Sequence, residues 1–308
     1  MKTATDKQLP MVSVIIPCHN GEDRIHYTLT SLSHQDYPKN RWEVVVVDNN
    51  STDNSVRVVH SFKRLIPSMR VEWEPRQSSY AARNKGISLA HGEILAFIDV
   101  DMAVEPDWIR RGVNTILAGC DYVGCRIDIV PTHRPPNLWE LYNVRTGFRI
   151  RDCVEQEGFA GAGNIFVRRK VFESVGLFED RLLSGGDKEF GNRVKDAGFR
   201  LCYDHANRMT HPALSSLKSL WSKYVRTGEG HMDLRFFYPE RYGRTKLRHV
   251  LSKFCPAFHL RRVLDARQVS DLSAVGKLGM LSVLNVVKCA FAYGHLLGYL
   301  QRRAGLRM

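Results

Sequence analysis

Residues 43–53 read Glu-Val-Val-Val-Val-Asp-Asn-Asn-Ser-Thr-Asp: four β-branched residues in an unbroken row, then six polar ones. An apolar run of strand length that stops at turn residues is the pattern of a strand buried on both faces. Asp53 at its far end suits the cap of a helix running through Val56 and Val59. The same order recurs on either side. Val12-Ser-Val-Ile-Ile16 runs into Pro-Cys-His-Asn-Gly21, and Ile25, Leu29 and Leu32 follow at helical spacing. Val71–Trp73 is a short strand candidate, Ala81–Ala90 a helix, and Glu93-Ile-Leu-Ala-Phe-Ile98 a strand that ends at Asp99-Val-Asp101. Strand and helix in alternation, with near-continuous apolar strands, predict an α/β fold: a mostly parallel sheet flanked by helices. Ligands of such sheets collect at the carboxyl ends of the strands. His19-Asn20, Asp48-Asn49 and Asp99–Asp101 all fall at such ends, so three polar loops are expected to meet at one crevice.

Further along, the pattern predicts a helix over Trp108–Leu117, a strand over Tyr122–Val130 and a loop over Pro131–Pro136. A glycine-rich turn (Gly158–Gly163) leads into a strand at Asn164–Val167, and Lys170–Val175 is a short helix closed by Gly176. Residues 184–198 form a glycine-entered helix with Phe190, Val194 and Ala197 on one face and Gly198 as its C-cap. Extended structure resumes at Arg200–Tyr203 and ends at His211-Pro212.

Three features carry chemistry. Asp99 and Asp101 lie two residues apart, so in extended chain both carboxylates point the same way. They can face one hard divalent cation such as Mg²⁺ or Mn²⁺, which takes one or two carboxylates plus substrate phosphates; a solvated turn is the plainer alternative. Asp187 sits near a helix N-terminus, where the dipole favours its ionised form, and reads either as a helix cap or as a general base. His211, at the end of a strand, is either a structural histidine or a metal ligand; His205 has a weaker case.

Five segments then occur in a telling order: Val12–Asn20, Val44–Asp53, Ala82-Arg-Asn-Lys-Gly86, Phe97–Asp101 and Gly186–Arg193. Together they resemble the family 2 glycosyltransferases, inverting enzymes with the nucleotide-sugar-binding GT-A fold, over about residues 11–212. The resemblance implies a metal-dependent transfer of a sugar, with inversion, from a nucleotide-diphosphate donor (a UDP-sugar first) to a hydroxyl acceptor in cell-surface polysaccharide or glycolipid synthesis. It implies that Pro17, His19, Asp48 and Asn49 line the nucleoside pocket, with Arg83 near the nucleotide or anchoring its own helix. Asp99 would contact the ribose or a metal-bound water. Asp101 would ligate the Mn²⁺ or Mg²⁺ that bridges the diphosphate, with Asp99 and His211 as further ligand candidates. Asp187 would be the catalytic base, and Asn164, Gly186 and Glu189 would lie on the donor-sugar and acceptor side. Two positions depart from the family pattern: Asn49 stands where a second aspartate is usual, and Gly186 where a glutamate often precedes the base. A sugar nucleotidyltransferase would need a glycine-rich phosphate loop after the first strand, and Pro17–Gly21 is not one. A non-catalytic carbohydrate-binding relative would be expected to lack Asp101 or Asp187, and both are present.

Charge divides the 308 residues unevenly. The net formal charge is +13; from Arg241 onward thirteen basic residues face only Asp265 and Asp271, a net of +11 that leaves +2 for the first 240. The expected organisation is a GT-A catalytic domain over 1–240 and a basic, helical, membrane-associated region over 241–308. Leu247, Val250, Leu251 and Phe254 are spaced as an amphipathic helix. Lys277–Leu300 is richer in apolar residues but interrupted by Lys288 and His295. A spanning helix needs about 20 predominantly apolar residues, so this stretch suits the membrane interface, its cations on anionic headgroups; a helical subdomain packed on the core is the alternative. A lipid-linked acceptor would give membrane contact a purpose. Aromatic residues for stacking on bases are sparse in 241–267 (Tyr242, Phe254, Phe258), which argues against nucleic acid as a partner. Met1–Pro10 is polar and shows no signal peptide. The seven scattered cysteines, without a CxxC pair, read as free thiols in a reducing cytosol. The expected location is cytoplasmic, peripherally on the inner face of the membrane.

Overall fold

The computed structural model describes residues 9–252 and 271–305. The amphipathic reading of residues 247–254 ends in a segment, 253–270, outside the described residues. The described chain forms two compact units: Met1–Asp128 with Phe148–Asp180 and Gly186–His211, and Ile129–Gly147 with Arg181–Gly185 and Pro212–Met308. The second unit therefore reaches further back than the charge step at 241.

The first unit is built on an eight-stranded sheet: β1 Val12–Cys18, β2 Trp42–Asp48, β3 Met69–Trp73, β4 Ile94–Ile98, β5 Ala103–Val104, β6 Tyr122–Val130, β7 Asn164–Arg168 and β8 Leu201–Pro212, in the order β3-β2-β1-β4-β7-β6-β8-β5. The sheet is mixed. β3-β2-β1-β4 are parallel, and the connections from β1 to β2, β2 to β3 and β3 to β4 run through the helices α1 (Ile25–Ser33), α2 (Ser55–Ser61) and α3 (Ser79–Leu89). β4–β7, β7–β6 and β8–β5 are antiparallel. The run of valines explains the centre: Val44, Val45, Val46 and Val47 are all buried, as are Val14, Ile15 and Ile16 beside them. A strand covered on both faces needs apolar side chains on both. In α4 (Trp108–Leu117), the Trp108 ring packs at a tilt against the Phe166 ring of β7, with centroids 4.6 Å apart. A three-residue helix α6 (Ile150–Asp152) and a π-helical turn over Cys153–Glu157 precede β7; α7 (Arg169–Val175) and α8 (Gly186–Asp196) follow it.

One expectation is overturned here. Cys120 and Cys202 form a disulfide with their Cα atoms 6.1 Å apart, while Cys18, Cys125, Cys153 and Cys289 are free. Strand order is the reason. β6 and β8 are neighbours, and the Asp121 amide donates to the Arg200 carbonyl at 2.9 Å, which sets the two cysteines side by side across 82 residues of chain. The inference from unpaired thiols to a reducing compartment is removed with it.

The second unit is helical: α5 (Leu138–Thr146), α9 (Leu217–Phe237), α10 (Pro239–Tyr242), α11 (Leu247–Leu251) and α12 (Ala274–Arg303). α12 is a single helix of 30 residues, about 45 Å long at 1.5 Å per residue. By length and composition alone it could cross a membrane. It lies along α9 so closely that a Cβ on Gly294 would stand 2.1 Å from the Val225 carbonyl oxygen. Tyr142, Leu220, Met280, Val283 and Val287 form the core of this unit.

Candidate active site

The loops after β1 and β2 are fastened to each other. Asn20 takes a positive φ of 46°, and its Oδ1 accepts from the Thr52 amide at 2.8 Å; the Gly21 amide donates to Ser55 Oγ at 2.8 Å. Asp53 Oδ1 accepts from the Ser55 amide at 3.0 Å, but the N-cap of α2 is Asn54 rather than the expected Asp53, because the helix starts one residue later, at Ser55. Parallel register places Pro17 and Cys18 beside Val47 and Asp48. The crevice edge therefore carries Pro17, His19, Asp48 and Asn49 together. His19 is exposed, with Nδ1 3.0 Å from the Asn49 carbonyl oxygen, and Asp48 Oδ1 accepts from the Ser51 amide at 3.2 Å. Asn49 is buried, and its Nδ2 donates to the carbonyls of Glu74 and Arg76 at 3.0 and 2.5 Å. An aspartate could not donate there. The amide therefore braces the 74–78 loop and leaves Oδ1 as its remaining polar atom.

β4 delivers the next pair. Thr28 Oγ1 donates to the Met102 carbonyl at 2.7 Å, which holds the turn carrying Asp99 and Asp101. The two carboxylates do not share one cation partner. Asp99 Oδ1 accepts from Arg83 Nη2 at 2.5 Å. Asp101 instead has His211 Nε2 at 3.7 Å from Oδ1 and Arg24 Nη1 at 3.6 Å from Oδ2. His211 is held edge-on to the Phe148 ring at 5.5 Å. Asp99 is thus bonded to one guanidinium, while Asp101 lies between the Arg24 guanidinium and the His211 imidazole.

The donor set fits Mn²⁺ or Mg²⁺. One carboxylate and one imidazole leave most positions for substrate phosphates and water, as these ions prefer. No cluster of three or more His, Cys, Asp or Glu that could hold a metal is found among the described residues.

The glycine-rich turn ahead of β7 threads between the carboxylates of Asp99 and Asp187. A Cβ on Gly163 would lie 2.3 Å from Asp99 Oδ2, and one on Gly161 3.8 Å from Asp187 Oδ2. Asp99 and Asp187, far apart in sequence, therefore flank one tetrapeptide. Asp187 is hemmed in by protein, with part of its surface open to solvent. Burial raises its pKa above the usual carboxylate range, against the opposing pull of the Lys188 amide, the Arg83 charge and the Ala162 backbone. Lys188 N donates to Asp187 Oδ1 at 2.9 Å. Arg83 is itself buried, its Nε without a hydrogen-bond partner among the described residues, and its guanidinium lies 5.7 Å from the Tyr80 ring centre.

Of the three residues expected on the sugar side, two have buried side chains held by other protein groups and the third has no side chain. Asn164 is wholly buried and its Nδ2 donates to the Cys125 carbonyl at 2.7 Å, bracing β7 against β6. Glu189 is buried and gripped by Arg193 one turn on, at 2.6 and 2.8 Å. Gly186 lines the site only through its backbone: its amide donates to the Tyr80 hydroxyl at 2.9 Å, and a Cβ would meet the Tyr80 ring at 2.8 Å. That ring fills the place a glutamate side chain would need. Tyr80 and Arg24 are the residues the sequence reading missed. Tyr80 had a signal, since it precedes Arg83 by three on one helix face; Arg24 had none.

A family model described as Glycosyl transferase family 2 matches residues 13–176. The glycosyltransferase AglE of Haloferax volcanii is 36% identical over 228 residues, 73% of this chain and 74% of that protein. A Methanococcus voltae protein named dolichyl N-acetyl-alpha-D-glucosaminyl phosphate 3-beta-D-2,3-diacetamido-2,3-dideoxy-beta-D-glucuronosyltransferase is 23% identical over 252 residues, 74% of this chain and 77% of that one. Among solved structures, the mannosyltransferase PcManGT from Pyrobaculum calidifontis, in complex with GDP-Man and Mn²⁺, superposes with a TM-score of 0.64 at 18% identity, covering 96% of this chain and 88% of that one. S. aureus TarS 1–349 with UDP-GlcNAc gives 0.55 at 16%, covering 96% and 92%. At these identities the two structures speak for the fold alone.

Proposed function

The chain belongs to the family 2 glycosyltransferases and is a glycosyltransferase, and from that premise we propose that it transfers a sugar, with inversion at the anomeric carbon, from a nucleotide-diphosphate donor to an acceptor hydroxyl. The observation that carries the reading is the placement of Asp99 and Asp187 on either side of the Gly161–Asn164 turn, with Arg83 bonded to the first and its charge felt by the second.

Each group has a distinct task. Asp187 takes the proton of the acceptor hydroxyl as that oxygen attacks the anomeric carbon from the face opposite the diphosphate. Its raised pKa makes it a stronger base than a solvated carboxylate. Arg83 orients Asp99 on the donor side. Pro17, His19 and Asp48 form the nucleoside edge, and Asn49 Oδ1 is an acceptor for the N–H of a uracil, which favours a UDP-sugar. Asp101 and His211 would hold a Mn²⁺ or Mg²⁺ ion, which when bound neutralises charge on the departing diphosphate.

The acceptor we propose is lipid-linked, in cell-surface glycan synthesis, with the enzyme peripheral to the cytoplasmic face of the membrane. The charge of the 241–308 segment supports this, because basic residues near an anionic leaflet contribute about 1 kcal/mol each. So does the relative from Methanococcus voltae, whose name includes a dolichyl phosphate. The test is a donor-hydrolysis screen over UDP-, GDP- and dTDP-sugars with Mn²⁺ or Mg²⁺ and an EDTA control. Hydrolysis of one donor class, lost with EDTA and in Asp101→Asn, is expected. Metal-independent turnover that survives Asp101→Asn would sink the assignment.

A further inference from the structure

Where the C-terminal turns of α9 and α12 come together, the second unit contains a cavity of about 380 Å³, lined among others by Arg235, Phe236, Arg244, Tyr299, Arg302 and Arg303. Four guanidiniums around one space repel each other unless something negative sits among them. The fold answers one of the four with a buried carboxylate: Arg302 donates through Nε and Nη2 to Asp233 Oδ1 at 2.9 and 2.8 Å, both side chains nearly free of solvent. The others are answered weakly among the described residues. Arg235 reaches the neutral Thr245 hydroxyl at 2.9 Å. Arg303 lies over the Tyr299 ring at 5.5 Å. Arg244 is 3.9 Å from Glu240, with both side chains more than four-fifths exposed, so water screens that pair.

We propose that this cavity binds the phosphate or diphosphate headgroup of a lipid. Guanidinium forks match phosphate oxygens two at a time. A lipid rather than a free anion is indicated by the helix that supplies three of the lining residues. In α12, 22% of an apolar 18-residue window is buried, and Leu300, next to Tyr299 of the lining, is exposed. The site deepens the reading of a lipid-linked acceptor and rests on it.

Full-length protein titrated calorimetrically with farnesyl diphosphate and with inorganic pyrophosphate tests the proposal. Farnesyl diphosphate should bind more tightly, and Arg235→Gln/Arg303→Gln should weaken it about tenfold or more, the loss expected for charge-assisted bonds. Arg248→Gln/Lys277→Gln, which removes equal charge from exposed positions outside the cavity, should bind as the wild type does. Where the cavity double variant fails to fold by circular dichroism, Arg244→Gln, at an exposed side chain, carries the same comparison. Equal losses in both double variants, no loss in the cavity variant, or pyrophosphate binding as tight as farnesyl diphosphate would each overturn it. Donor hydrolysis on the same preparations keeps the two readings apart. If it is absent while headgroup binding is intact, the transferase mechanism fails and the cavity stands.

Discussion

Arg83 Nη2 donates to Asp99 Oδ1 at 2.5 Å, from a guanidinium that is 6% exposed to a carboxylate that is 36% exposed. The same cation favours the ionised form of Asp187. One buried charge thus acts on Asp99 by contact and on Asp187 through its field. Arg83→Met should therefore raise the donor KM and also move the acidic limb of kcat/KM to higher pH, because one influence holding Asp187 down is gone. A pH-rate profile decides it; an unmoved limb would disconnect Arg83 from the base.

Asp187→Asn should lower kcat by about 10²–10⁴-fold, the usual contribution of a general base, while donor affinity measured by calorimetry stays near the wild-type value. The fold raises the proton affinity of this carboxylate, so its contribution to stability is greatest below the ordinary carboxylate range and is lost as pH rises through the raised pKa. The neutral variant should then melt at or above the wild-type temperature at pH 7. A variant that loses both activity and stability would assign Asp187 a structural role.

Gly163 has no room for a methyl group, which would stand 2.3 Å from Asp99 Oδ2. Gly163→Ala should cost about 1–3 kcal/mol in chemical denaturation, as overpacked substitutions do, and should raise donor KM by displacing Asp99. Gly161→Ala, with 3.8 Å to Asp187 Oδ2, should be milder. Reversal of that order would mean that Gly161, not Gly163, is the tighter position of the turn.

Glu140 is fully buried and accepts from the Thr132 amide and hydroxyl and from the His133 and Asn137 amides, at 2.7–3.2 Å. Burial alone would raise its pKa, but these hydrogen bonds outweigh it and lower the pKa to about 2. Its stabilisation is present above the ordinary glutamate pKa of 4.5 and is lost as pH falls toward about 2. Glu140→Gln should cost about 1–3 kcal/mol at pH 7, since an amide nitrogen then faces buried N–H donors. The difference from wild type should shrink in melts taken below pH 4.

Cys120→Ser should lower stability by about 2–4 kcal/mol, the usual range for a disulfide closing a long loop. Dithiothreitol should bring the wild type to the same value and leave the variant unmoved. Equal melting of wild type with and without reductant would show that the bond contributes nothing.

Much of the site was legible because it hangs on local grammar. The apolar runs of β1, β2 and β4 and the polar residues after them need only short-range patterning, so His19, Asp48, Asn49, Asp99 and Asp101 fell at strand ends as expected. Helix α9 was not read as a separate element, since its polar and aromatic residues show no clean apolar stripe; burial against α12 sustains it.

The sequence by itself determined the parallel half of the sheet, its crevice and the carboxylates that reach it, because strand burial and turn chemistry are written in consecutive residues. Only the tertiary structure decided which partner each carboxylate takes: Arg83 for Asp99, Arg24 and His211 for Asp101, the Gly161–Asn164 turn for Asp187. It also turned Asn164 and Glu189 inward and joined Cys120 to Cys202. Those outcomes depend on which distant segments share a few ångströms of space, and distance along a chain carries no record of that.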